Sequence, residues 1–338
     1  MGKMVLRKGE APSRQGELIG KRRSEDKNNE QPKRHPPGPI HESDERHGLR
    51  ERESGVISTS MEKEGYTRSE LLTTPEELKK KLDSSNLRLI DTRPAEKFAQ
   101  GHIPGAIHFD LFGLSLVDTS PAPLKAFMSM ISHVFEMRGV DLEKEVVLYE
   151  ENSGMRAARG LWFLEYFGHT NVHVLDGGIQ AWKEASYPVT TDAISPKATQ
   201  FKTAERRELL ATAEDVLHSL DKKTICIVDT RSDDEYMGRN IRAARGGAIP
   251  GAVHLEWINN LDSKGKYKLA MELKEMYRSL GATPDKEIVP YCQGGYRSAH
   301  TYLALRLIGF PKVRNYLGSW KEWGDRLDLP IEKPWEKK

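Results

Sequence analysis

The chain has only two cysteines, Cys226 and Cys292, in 338 residues. So few exclude a secreted disulfide framework and set the expectation of a reducing, cytoplasmic setting, where a thiol is kept for its reactivity. No run approaches the roughly 20 consecutive apolar residues that a membrane span needs. An excess of one charge is missing too, since 52 Lys and Arg stand against 50 Asp and Glu. That balance gives no bulk electrostatic reason to bind nucleic acid or an anionic membrane. No Cys or His cluster has metal-ligand spacing, and no Gly-x-Gly-x-x-Gly or Gly-x4-Gly-Lys-Ser/Thr run offers a nucleotide site. Neither a metal nor a cofactor is expected.

Hydrophobic residues make up 37% of the chain and charged residues 30%, and the shortfall in the former is concentrated in residues 1–65. There KRRSEDKNNEQPKRHPPGPIHESDERHGLRERES mixes both charges with Pro and Gly. Such a segment cannot bury enough surface to offset chain entropy, so a disordered N-terminal extension is expected. It lacks the apolar stretch of a secretory signal, and Glu10, Glu17, Glu25 and Asp26 argue against an acid-poor transit peptide. Two uses stay open, a docking tail and a solvated extension without a task.

What the remainder contains is a repeat. LLTTPEELKKKLDSSNLRLIDTR, from Leu71 to Arg93, answers LLATAEDVLHSLDKKTICIVDTR, from Leu209 to Arg231. The offset from Thr74 to Thr212 equals that from Asp91 to Asp229, so no gap is needed. GHIPGAIHFD then answers GGAIPGAVHLEW, with eight extra residues of the second copy falling in YMGRNIRAARGG. VHVLDGGIQAW answers VRNYLGSWKEW. Two copies of this length are duplicated domains, one over 66–190 and one over 206–338, with 191–205 as linker. Each alternates short apolar runs with longer amphipathic ones. Thr224 to Val228 and Glu287 to Tyr291 suit parallel strands buried on both faces. After Cys292, the spacing of Ala299, Tyr302, Leu303, Leu305 and Leu307 is helical, and Gly309 is placed to stop the helix. The expected class is α/β, with two domains, each an open parallel sheet with helices on both faces. Ligands of such sheets bind outside the carboxyl ends of the strands.

The segment at that end is Pro290-Tyr-Cys-Gln-Gly-Gly-Tyr-Arg297. Cys292 is expected at the strand's edge, with Gln293, Gly294, Gly295 and Tyr296 curling beneath its sulfur and Arg297 opening the helix. Adjacent glycines let backbone N–H groups converge on one point. Those groups and a helix N-terminus favour an anion and lower a thiol's pKa. A thiolate so held can attack a sulfane sulfur without a general base.

These features together resemble a known family. The two DTR segments, GHIPGA, the Cys292-x4-Arg297 loop and the Gly-Ser-Trp-x-x-Trp run ending at Trp323 are similar to those of the tandem rhodaneses, the thiosulfate and 3-mercaptopyruvate sulfurtransferases. The resemblance implies a ping-pong reaction in which a small-molecule donor charges Cys292 and a thiophilic acceptor, cyanide or a thiol, removes the sulfur. It implies that Arg231 helps hold an anionic donor, for which a planar, permanently charged guanidinium is suited. The other reading of Arg231 is a structural pair with Asp229, Asp233 or Glu235. Arg297 either faces the donor or braces the loop. Arg239, Arg242 and Arg245 in the insertion form either a positive rim or a solvated basic loop. The first copy departs from the pattern, because Tyr149-Glu-Glu-Asn-Ser-Gly-Met-Arg156 has no cysteine and is one residue longer. Glu150 or Glu151 stands at the lost nucleophile. That half is expected to be inactive and to cover the other's pocket, its glutamate either a plain loss or a permanent ligand of its own anion cradle.

Weaker candidates are Cys226, read as a buried small hydrophobe, His300, read as packing or solvent-facing, and His102, His108 and His254, read as structural. A Cys-based phosphatase is a rival, but its loop is Cys-x5-Arg, one residue wider to admit phosphate. A non-catalytic binding module is the rival of another class. Thiosulfate is the expected donor, because nearby arginines suit a dianion, with 3-mercaptopyruvate the alternative. The sequence leaves the oligomeric state open.

Overall fold

The structure is a computed structural model that describes residues 65–336. The expected disordered extension therefore lies, but for Gly65, outside the described residues. In the first half the elements run β1 (Leu72–Thr73), α1 (Pro75–Lys81), β2 (Leu87–Asp91), α2 (Ala95–Gln100), β3 (Ala106–His108), α3 (Pro121–Met137), β4 (Glu145–Tyr149), α4 (Met155–Tyr166), β5 (Val172–Leu175) and α5 (Gly178–Glu184). The strands are parallel, in the order β1-β5-β4-β2-β3. The second half runs β6 (Leu210–Ala211), α6 (Ala213–Leu217), β7 (Ile225–Asp229), α7 (Asp233–Tyr236), β8 (Val253–His254), α8 (Ala270–Ser279), β9 (Glu287–Tyr291), α9 (Arg297–Leu307), β10 (Asn315–Tyr316) and α10 (Ser319–Trp323). Its strands pair in parallel as β8-β7-β9 and β10-β6. A parallel bridge between Ile288 and Val313 joins the two groups, which reproduces the order of the first half. The α/β class and the parallel sheets agree with the alternation read from the sequence.

Repeated sequence gives repeated local structure. Thr74 and Thr212 cap α1 and α6 in the same reciprocal way: each hydroxyl accepts from the N–H three residues on, and the carboxylate there accepts from the threonine's own N–H. The ends of β4, β7 and β9 are buried residue after residue, because helices cover both faces of each sheet. Gly309 follows α9 at φ +89°, a left-handed stop that favours glycine.

Three buried clusters organise the packing. One lies on the outer face of the first sheet around Leu78, Ile103 and Trp182. Another lies on the outer face of the second around Ile249, Trp320 and Trp323. The third draws on both halves, with Leu161 and Phe163 of α4 beside Leu303 and Leu305 of α9. Here the structure goes beyond the periodicity, which suggested an amphipathic α9. Every residue from Ser298 to Leu307 is buried, as is every one from Ala157 to Tyr166. Each helix is enclosed between its own sheet and the other half, so no face is left for water. Polar groups there are matched across the interface: the Tyr302 hydroxyl donates to Glu165 at 2.8 Å, and Arg306 lies 3.5 Å from the same carboxylate.

A shared core makes the two halves one cooperative unit. Leu303→Ala is expected to cost about 2–5 kcal/mol and to shift a single urea transition, followed by tryptophan fluorescence, rather than split it in two.

Candidate active site

β9 is a central strand of its sheet, and Cys292 is the first residue beyond its carboxyl end. The Cys292 N–H donates to Ser319 Oγ at 3.1 Å, and its carbonyl accepts from the Trp320 N–H at 2.9 Å. Ser319 itself sits at φ 55°, a left-handed conformation that a non-glycine residue adopts only under constraint. The loop then turns through Gly295 at φ +85°, where a Cβ would lie 2.9 Å from Leu317. Only glycine fits that turn.

Cys292 is buried, but it forms part of the wall of a cavity of about 490 Å³. Phe112, Gly113, Ser115 and Met155 of the first half close one side. Arg242, Gln293, Gly294, Tyr296, Arg297 and Lys321 complete it from the second. A cleft of about 540 Å³ elsewhere, between Thr119–Lys125 and Thr212–Asp215, is lined by neither cysteine nor histidine. Burial disfavours the thiolate of Cys292. The Arg297 guanidinium, the N–H groups of Ser298 and Gly294 and the Ser298 hydroxyl outweigh that, and the thiol lies below its ordinary range. The hydroxyl is 3.7 Å from the sulfur.

The expected ring of four loop residues is thus narrower than the sequence suggested. Gly294 supplies an amide, and Ser298, one residue inside the helix, supplies the other. The Gln293 side chain instead donates to the Arg242 carbonyl at 2.7 Å. The Tyr296 hydroxyl reaches into the first half, to the carbonyls of Leu111 at 2.7 Å and Leu114 at 3.1 Å. Arg297 grips Glu235 with two contacts at 2.5 and 2.9 Å and also lines the cavity beside the thiol.

Arg231 makes the structural pair with Asp229 that was one of its two readings. It is almost wholly buried, binds Asp229 at 2.5 Å, donates to the Gly247 carbonyl at 2.7 Å and lies over the Trp320 ring. It is not among the residues lining the cavity. The first half repeats the arrangement, with Arg93 on Asp91 at 2.6 Å and on the Gly101 carbonyl at 2.7 Å. A pair present beside a loop without cysteine serves the fold, which is why the DTR motif recurs in both copies. Of the insertion arginines only Arg242 lines the cavity. Arg239 pairs with Asp234 at the surface, and Arg245 caps the carbonyls of Trp323, Gly324 and Leu329. Cys226 is a buried strand residue whose thiol burial pushes up. His102, His108 and His254 make structural hydrogen bonds to Phe98, Arg93 and Asp233. Sequence reasoning missed Lys321, hidden inside the Trp-x-x-Trp run, and Ser298, whose one signal was its place after Arg297.

The first half settles which glutamate replaces the nucleophile. Glu150 follows β4 as Cys292 follows β9. Its Oε1 accepts from the N–H of Arg156 at 2.7 Å and of Ala157 at 3.3 Å. A carboxylate oxygen therefore occupies the anion cradle, the second of the two readings above. Burial raises its pKa to about 7 despite those amides and the Arg156 charge. Glu151 points away, to Gln180 and Arg93.

Two outcomes follow. Arg231→Ala strands the Asp229 charge and is expected to lower stability by about 3–5 kcal/mol in a urea melt, whereas a donor-binding role would leave stability intact. For Glu150 the folded pKa lies above the unfolded one, so the fold holds its proton more tightly and its contribution to stability falls as pH rises from about 4.3 through 7. Glu150→Gln should melt higher than the unaltered protein at pH 8, with the gap narrowing toward pH 5.

The Rhodanese-like domain family matches the chain twice, over residues 74–185 and 212–326. A thiosulfate sulfurtransferase of Azotobacter vinelandii is 35% identical over 263 residues, covering 78% of this chain and 97% of that one. The sulfur carrier protein TtuD of Thermus thermophilus is 33% identical over 285 residues, covering 80% and 99%. Among solved structures, an anaerobic ergothioneine biosynthesis enzyme from Chlorobium limicola shares the fold, with a TM-score of 0.69 at 23% identity over 79% of this chain and 71% of that one. With its duplicated sheets and its Cys292 loop, the chain belongs to the rhodanese family.

Proposed function

We propose that the protein is a thiosulfate sulfurtransferase that works through a persulfide on Cys292. The observation that carries this reading is the heightened acidity of a thiol set in a cavity wall beside Arg297. The name of the Azotobacter vinelandii relative supports the same donor. The Cys292 thiolate attacks the outer sulfur of thiosulfate. The S–S bond breaks, sulfite leaves with the electron pair, and the outer sulfur stays on Cys292 as a terminal anion. A second nucleophile, cyanide or a thiolate, then attacks that outer sulfur and returns the thiolate. The amides of Gly294 and Ser298 suit either anion, so loading needs no rearrangement of the cradle.

With Arg231 committed to Asp229, the donor's dianionic end is assigned to Arg242 and Lys321, the other cations lining the cavity beside Arg297. The first half acts as a non-catalytic wall, since a Glu150 carboxylate cannot carry sulfane sulfur. Two unpaired cysteines suit a reducing cytoplasm. No helix among the described residues is long and apolar enough to cross a membrane.

Thiosulfate treatment is expected to add about 32 Da, one sulfur, to the Cys292 peptide in mass spectrometry, and cyanide to remove it. Cys292→Ser should abolish both adduct and turnover. An unmodified peptide after treatment with thiosulfate and with 3-mercaptopyruvate would leave the binding-module reading, and a higher kcat/KM with 3-mercaptopyruvate would replace the donor. Arg242→Ala and Lys321→Ala should each raise KM for thiosulfate with little change in kcat, an effect that shrinks as salt is added.

A further inference from the structure

The non-catalytic half contains one charge that its own fold does not explain. Arg159, on α4, has no exposed surface. Its Nε and Nη2 have no hydrogen-bond partner, its Nη1 reaches the Leu111 carbonyl at 3.4 Å, and its remaining partners are the rings of Phe163 and Tyr296 and no carboxylate. Among the described residues no carboxylate pairs with it, whereas the other deeply buried arginines, Arg93 and Arg231, each hold an aspartate. An unpaired buried guanidinium is costly and calls for a compensating anion.

Its position shows where that anion forms. The guanidinium carbon lies 3.7 Å from the ring centroid of Tyr296, four residues beyond Cys292. Tyr296 is pinned from the same side, because its hydroxyl donates to the Leu111 carbonyl that Arg159 also touches. Burial lowers the Arg159 pKa to about 10, and Tyr296 and Cys292 are the groups that counter the fall. The guanidinium is thus fixed against the loop that carries Cys292, separate from Arg297 and the amides that chiefly lower the thiol's pKa.

The duplication supplies an internal comparison. The amide of Ala157 reaches Glu150 as the amide of Ser298 reaches Cys292. Two residues on, Arg159 and His300 occupy the same helical place, and each projects across the interface toward the other half's loop. His300 stacks on Tyr267, and its Nε2 lies 2.8 Å from the Ser153 carbonyl, within the Glu150 loop. Burial keeps that imidazole neutral, with a pKa near 3. The loop with the cysteine thus receives a fixed cation, and the loop with the carboxylate receives a neutral ring.

We propose that Arg159 is a positioning residue for Cys292: clamped under Tyr296 without a carboxylate of its own, it is a standing positive charge, supplied by the silent half, that adds to Arg297 and the loop amides in favouring the anionic sulfur of the other half. This rests on the sulfurtransferase reading for its purpose but not for its measurement. The other charged or titratable groups around the sulfur are Arg297 and Tyr296 from its own loop and helix, Glu235 from α7, Arg242 from the insertion and Lys321 from α10. Of these, Arg297 is already neutralised in part by Glu235.

The test is the pH dependence of Cys292 alkylation by iodoacetamide in the full chain, read by mass spectrometry of the Cys292 peptide. Arg159→Met should move the half-point upward by about one pH unit, the low end of what an opposite charge does to a buried group, while Arg159→Lys should keep it near the starting value. Should Arg159→Met not fold, Arg159→Gln gives the same reading with the contact to Leu111 preserved. An unchanged half-point in a folded neutral variant overturns the proposal, and so does an equal shift in the lysine variant, which would mark a steric role. A half-point that moves in a protein that never accepts sulfur from thiosulfate would sink the functional reading and leave this one standing.

Discussion

A thiol that water barely reaches is nonetheless made more acidic than a free one, and the site is arranged around that opposition between burial and charge. Burial alone would hold Cys292 as a neutral, inert thiol, which is the condition of Cys226. The difference lies in what surrounds each sulfur. Cys226 sits within a strand among apolar neighbours. Cys292 stands past the end of a strand, where the chain turns into a helix and offers amides and a guanidinium. Open parallel sheets bring such strand-to-helix turns to one edge, so the fold itself supplies the electrostatics.

Duplication shows what the fold needs and what the chemistry needs. Both halves keep the buried Asp-Arg pair and the strand-end tyrosine whose hydroxyl accepts from an Ile N–H, Tyr149 from Ile103 and Tyr291 from Ile249. These recur regardless of what occupies the cradle, so they belong to the scaffold. The occupant differs. In one half the cradle binds a side-chain carboxylate that cannot leave. In the other it holds a sulfur beside an open cavity. The same backbone geometry is a closed structural contact in the first case and surrounds a thiol that lines a cavity in the second.

Much of this was legible in the sequence because it is local. Strand runs such as Ile225 to Asp229, the reciprocal threonine caps and the Cys292 loop depend on neighbours within a few positions. What stayed hidden depends on residues far apart in the chain. The motif left Arg231 between a ligand contact and a pair with a nearby acid, and its contacts to Gly247 and Trp320, which hold it away from the cavity, are fixed only by the tertiary packing. Phe112, Ser115 and Met155 carry no chemical signature, and they reach the cavity only because α4 packs on α9. The burial of α9 on all sides could not be read from periodicity, since pattern reports one hydrophobic face and says nothing of a second partner.

The cavity that holds Cys292 has a consequence for whatever takes the sulfur away. Its walls come from both halves, and Tyr296 ties the loop to the opposite half by its hydroxyl. In the reaction proposed above, an acceptor has to reach a thiol that is only 1% exposed, which favours a bare ion, a free low-molecular-weight thiol or the extended tip of a larger carrier over a broad, folded surface. Selectivity among recipients then depends on girth and reach before it depends on any specific contact.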